Sequence, residues 1–198
     1  LLSTFAVQAQ TVKFVGTSTE FTNAGVPVAA PDYPTVAAAV TALTGLTVPT
    51  GGFIFKVAAT HTELLTARIA QTATGTFANQ ITFIKYGTGA NPVITAYAGT
   101  NTPLPLAGGA TTLDGMWSLT GVSYTTINGI DLQESSANTN FTTWMEYGYG
   151  LFKLNGTQGS QYNTIQNCTV TLSRGNCIAN GTTANTAFVN AVGSTGIV

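Results

Sequence analysis

Short apolar runs broken by Gly, Asn and Pro dominate the hydrophobic pattern of this chain. Val12 to Val15, Phe53 to Val57, Ile81 to Tyr86 and Pro92 to Tyr97 each read as a strand. Thr17 to Ala30 reads as loop. Only one segment has a helical period. Val36, Val40 and Leu43 recur at i, i+4 and i+7, behind the start signal Asp32-Tyr33-Pro34-Thr35 and ahead of the stop at Gly45. No helix-length periodic segment follows Leu43, which argues against a chain of βαβ units.

Further along, the chain repeats itself. Gly115-Met116-Trp117-Ser118-Leu119-Thr120-Gly121 is matched by Gly150-Leu151-Phe152-Lys153-Leu154-Asn155-Gly156. Tyr124 to Leu132 (YTTINGIDL) is matched by Tyr162 to Val170 (YNTIQNCTV). A third copy begins at Gly196-Ile197-Val198, where the sequence ends. Repeats of this length signal stacked arrays. Trp117 and Leu119 alternate, as do Phe152 and Leu154, so these pairs should face inward while Ser118 and Lys153 face out. Ile127 and Ile165 should also face inward. The next inward position comes three residues later, at Ile130 or Cys168, so Gly129 and Asn167 should form a corner in the left-handed conformation that these residue types accept.

Strand, one-residue corner, strand predicts an all-β fold: a right-handed parallel β-helix, or solenoid, with a short N-terminal capping helix built on Val36, Val40 and Leu43. Trp117 should lie one coil from Phe152, and Ile127 one coil from Ile165. A cap is expected because a terminal repeat otherwise exposes its core.

Composition changes the picture in one respect. Hydrophobic residues make up 44% of the 198, an ordinary share, but charged residues only 7%, where about 25% is usual. Thr, Asn, Gly and Ala fill the space that Lys and Glu normally take. The net charge of −1 and the lack of a Lys/Arg run argue against nucleic-acid binding. No stretch approaches the ~20 apolar residues of a membrane span. Leu1 to Gln10 reads as the remnant of a signal peptide, with small residues around Ala9 where cleavage would fall; the competing reading is an ordinary first strand. Residues 11–198 then read as the N-terminal part of a β-helix domain truncated at its C-terminus.

At these motifs the sequence resembles the large exported β-helix proteins of bacterial cell surfaces, above all those ending in a type IX secretion signal. Pro34-Thr35-Val36-Ala37-Ala38-Ala39-Val40, Phe53 to Val57, Ile81-Thr82-Phe83 with Gly87, and Pro92-Val93-Ile94 resemble the opening of that group. Asp114 to Glu134 and Glu146 to Leu172 resemble its repeating coils. The resemblance implies secretion or cell-surface display. A looser resemblance is to polysaccharide lyases of the pectin lyase type. No position here matches their catalytic Lys, Arg or metal-binding carboxylates.

Candidate chemistry is sparse. The repeat aligns Asp131 with Thr169 and Asp114 with Tyr149, so no acid is expected over another acid. Asp131, Glu134 and Glu146 then read as exposed or corner residues, short of the paired carboxylates that sugar hydrolysis uses. Lys153 should be solvated on an outer face, and Arg174 has no aligned basic partner. His61, the only histidine, could act as a base but reads as structural or exposed. Cys168 and Cys177 read as two buried thiols in preference to a disulfide. Trp144, Met145, Tyr147 and Tyr149 either stack on sugars or fold back as a hydrophobic cluster, the second being favoured. Asn140-Phe141-Thr142 and Asn155-Gly156-Thr157 match glycosylation sequons of low specificity. No catalytic, cofactor-binding or metal-ligating residue is assigned. The sequence favours a scaffold or adhesion segment that meets polysaccharide or a cell-surface glycan. The alternative is the N-terminal part of a lyase or glycoside hydrolase whose groove lies on other coils.

Overall fold

The computed structural model describes residues 9–100, 113–139 and 143–173. In chain order the elements are β1 (Thr11–Val15), α1 (Ser18–Asn23), α2 (Val36–Thr44), β2 (Phe53–Ala58), β3 (Thr62–Leu64), β4 (Ile69–Gln71), β5 (Ile81–Tyr86), β6 (Val93–Thr95), β7 (Gly115–Thr120), β8 (Thr125–Asn128), β9 (Asp131–Gln133), β10 (Tyr147–Phe152), β11 (Thr164–Gln166) and β12 (Val170–Thr171). They form three separate parallel sheets, ordered β1-β2-β5-β8-β11, β3-β6-β9-β12 and β4-β7-β10.

Three parallel sheets accompanied by two helices correct the expectation of an all-β right-handed parallel β-helix with a single capping helix. The combination of parallel sheet and helix is that of an α/β arrangement. The missed helix is α1, which lies in a stretch that reads as loop because only Phe21 on it is buried. Its start is set by a capping box: Thr17 accepts from the Glu20 N–H, and Glu20 accepts from the Thr17 N–H. The second helix matches its prediction. Thr35 caps it, Gly45 ends it, and Val36, Ala39, Val40 and Leu43 are buried in the core.

Pairing between successive strands is in part as expected. Ile127 lies beside Ile165. Gly129 and Asn167 both have positive φ, at 70° and 56°. Trp117, however, pairs with Tyr149, and Phe152 with Thr120, so the expected Trp117–Phe152 neighbourhood is wrong by three residues. The reason is steric. Gly115 has no side chain, and the Tyr147 ring occupies the space where a Cβ would sit. The repeat in the sequence aligns Gly115 with Gly150 instead. Ser118 is also buried, not outward, because β7 is covered on both faces.

The core runs between the sheets as a column of rings. Phe55 stacks on Phe83 at 4.6 Å, Phe83 meets Trp117 edge-on at 5.2 Å, and Trp117 lies 5.8 Å from Tyr149. Such pairs add roughly 0.5–1.5 kcal/mol each beyond area burial. Among the described residues no helix is long and apolar enough to cross a membrane. Most of Leu1–Gln10, together with Arg174, Cys177 and the third copy at Gly196–Val198, lies outside the described residues.

Candidate functional site

The seven acids of the chain share one property that spacing did not reveal. Each accepts a hydrogen bond from a main-chain N–H. Glu20 takes Thr17, Asp32 takes Phe14, and Glu63 takes both Val36 and Ala37. Asp114 takes Thr100, Asp131 takes Thr169, Glu134 takes Met145, and Glu146 takes Asp114. A carboxylate accepting an amide N–H makes a charge-assisted bond, stronger than a neutral one. Most of these contacts join residues far apart in sequence, so they fasten loops and strand ends to one another.

Three of the acids cluster. The β7–β10 register carries Asp114 to the side of Glu146, not to that of Tyr149 as the repeat suggested. Besides its side-chain bond, Glu146 donates its N–H to the Asp114 carbonyl at 2.7 Å. Burial pushes the Glu146 carboxyl up to about 7, aided by the charges of Asp114 and Glu134 and opposed by the Asp114 N–H. Glu134 is itself buried and accepts from Asn138 at 2.6 Å. The expectation that Glu134 and Glu146 are exposed or at corners, and that no acid lies over another, is therefore corrected.

Beside Asp114 is an open cleft of about 400 Å³, lined among the described residues by Thr66, Arg68, Tyr97, Thr100 and Leu113. Arg68 donates to the Leu113 carbonyl at 3.3 Å. Burial, and then the Asp114 charge, pushes the Tyr97 phenol up to about 12. The cleft thus holds the Asp114 carboxyl beside an arginine and a phenol, while Glu146 does not line it and meets it only through Asp114. Among the described residues no group of three or more His, Cys, Asp or Glu is placed to hold a metal ion.

His61 is not exposed. It is 2% accessible and sits between two carboxylates, with Nδ1 3.0 Å from Glu20 and Nε2 3.8 Å from Glu63. Burial alone would lower its pKa, but the hydrogen bonds and charges of Glu63 and Glu20 outweigh this and raise it. Each of the two acids caps a different helix, Glu20 inside the capping box of α1 and Glu63 on the first two N–H groups of α2. One imidazole thus ties both helix starts to the strand β3.

The remaining candidates are placed as follows. Lys153 is exposed, just past β10. Cys168 carries a free, half-buried thiol that donates to the Gln166 carbonyl at 3.1 Å. Met145, Tyr147 and Tyr149 are fully buried, and Trp144 donates to the Asn138 carbonyl at 2.8 Å. Tyr147 and Tyr149 are thus strand residues of β10, and Met145 and Tyr149 belong to the core itself, so they are not an insertion folded back over it. Asn155 accepts from the Thr157 and Gln158 N–H groups and so forms a local turn; the other sequon, at 140–142, lies outside the described residues. Sequence reasoning missed the pair formed by half-buried Tyr124 and exposed Tyr162, which stack at 4.8 Å with planes 17° apart. Their matching places in the repeat were the available signal. The chain matches no known family model, no curated protein and no solved structure.

Proposed function

We propose that this chain is a scaffold or adhesion segment of an exported, surface-displayed protein, and that it binds polysaccharide without cleaving it. The observation that carries the reading is the use of all seven carboxylates as acceptors for main-chain N–H groups. Acids that hold loops in place are committed to architecture, whereas sugar cleavage needs carboxyls aimed at a substrate. The near-neutral charge balance and the few Lys and Arg disfavour a phosphate backbone as partner. The motifs that resemble exported bacterial surface proteins support the placement outside the cell.

The test is a screen of the purified chain against neutral and acidic polysaccharides, with and without Ca²⁺, for retention in affinity gels and for release of reducing or unsaturated ends. Retention without release supports the proposal. A second reading, glycan cleavage at the Asp114–Glu146 corner, is favoured by the proton that Glu146 keeps up to about pH 7. Release of sugar ends that disappears in Glu146→Gln would replace the first reading with the second.

A further inference from the structure

The corner that leads into β8 and β11 carries a feature that stability does not explain. Tyr124 and Tyr162 occupy the same position in successive repeats, and both have φ of 56°. That is the left-handed region, where a bulky side chain is strained and Gly or Asn is preferred. The same column holds Gly52 two strands earlier, with φ of 84°, its carbonyl accepting from Thr11 as the Tyr124 carbonyl accepts from Ile81. The backbone is therefore suited to glycine. Core packing does not repay Tyr162, which is 70% exposed, and Tyr124 beside it is only half-buried. Strain held at the same aromatic in two consecutive repeats, the two rings stacked and the outer one exposed, points to binding.

The surroundings define the ligand. Phe77, 81% exposed, sits on a turn fixed beside Tyr124, where the Gly75 N–H donates to the Ser123 carbonyl at 2.9 Å and Thr76 pairs with Asn79. Segments 72–80, 121–126 and 155–164 contain no Asp, Glu, Lys, Arg or His. Their polar groups are hydroxyls and amides: Ser123, Gln158 and Asn163 hold neighbouring main-chain groups in place, and the Gln161 side chain is exposed. Aromatic faces offer stacking to the C–H faces of sugar rings, and uncharged donors and acceptors suit sugar hydroxyls. We infer that the Tyr124–Tyr162 edge is a binding site for a neutral polysaccharide. This deepens the polysaccharide-binding reading and rests on it.

The test compares the full chain with the double variant Tyr124→Gly/Tyr162→Gly and with Tyr162→Trp. The probes are a soluble neutral glucan, a galactomannan, polygalacturonate and gelatin, measured by affinity electrophoresis and calorimetry. Glycine relieves the left-handed strain, so the double variant should melt at the same temperature or higher. Its affinity for neutral polysaccharide should fall about tenfold or more, as losing an aromatic anchor does, while Tyr162→Trp keeps binding. Unchanged binding in the double variant overturns the tyrosine site and leaves polysaccharide binding standing. Tighter tyrosine-dependent binding of polygalacturonate overturns the neutral ligand. A chain that binds none of the three polysaccharides, or gelatin alone, overturns both readings.

Discussion

Replacing Glu63 by Ala should be among the most destabilising single changes in the N-terminal part of the chain. Its side chain is 4% exposed. One oxygen accepts from the Val36 N–H at 2.8 Å and the other from the Ala37 N–H at 3.1 Å. These are donors that a helix start leaves without intrahelical partners. Removing the carboxylate strands both, at roughly 1–3 kcal/mol each, and leaves His61 with one counter-charge in place of two. The total is about 3–5 kcal/mol. At about 2–4 °C per kcal/mol for a chain of this size, the melting temperature should fall on the order of 10 °C. Glu63→Gln keeps one carbonyl acceptor and should lose about half as much. Urea and thermal unfolding followed by circular dichroism at pH 6 would measure both. A double-mutant cycle with His61→Ala adds a sharper check, because groups sharing one bridge should be non-additive by more than about 0.5 kcal/mol. A loss below about 1 kcal/mol for Glu63→Ala, or strict additivity, would refute the bridge.

Further outcomes follow from the same geometry. The pKa of His61 is raised above 6.5, so its contribution is complete below pH 6.5 and is lost as pH climbs through the raised value; that of Glu20 is lowered from 4.5, so its contribution is complete above pH 4.5 and is lost as pH falls through the lowered value. Melting temperature should therefore peak between these limits, and His61→Gln should flatten the alkaline limb. Glu146, raised from 4.5 to about 7, acts in the same sense as His61, so Glu146→Gln should lose less stability between pH 5 and 8 than the parent chain does, as paired melting curves would show. Gly115→Ala should cost roughly 1–3 kcal/mol by driving a methyl into the Tyr147 ring, read as a lower urea midpoint at unchanged slope. Trp117→Ala, at the centre of the ring column, should cost about 3–5 kcal/mol by the same assay.

What the sequence showed and what it hid divide along a physical line. Local rules were readable: Thr35, the Val36-Val40-Leu43 stripe and Gly45 mark α2, and Gly129 and Asn167 mark a left-handed corner. The short helix α1 was readable in principle, since Thr17-x-x-Glu20 is a capping box, but its single buried residue left no stripe to support it. The β7–β10 register was not readable from letters, because it depends on the Tyr147 ring filling the space above Gly115. That slip of three residues hid the meeting of Asp114 and Glu146. Asp131 and Thr169, 38 residues apart, were aligned by the repeat, but the contact of Glu63 with Val36 joins residues 27 apart outside any repeat, and no spacing rule reaches it.

The low charge content also has an explanation in the pairing. In a parallel stack, identical positions of successive strands lie about 4.8 Å apart. Two like charges at that distance repel by roughly 1 kcal/mol in water and about 3–4 kcal/mol at the effective dielectric of a protein surface. A residue that both donates and accepts has no such conflict with its own kind. Thr126 lies beside Thr164, and Asn167 donates its side-chain amide diagonally to the Asn128 side chain at 2.8 Å. Thr can therefore lie beside Thr, and Asn beside Gln, at positions where Lys over Lys or Glu over Glu would repel. Asp114 and Glu146 are the place where two acids do meet, and there burial first, with the Asp114 charge adding to it, pushes the Glu146 carboxyl up to about 7.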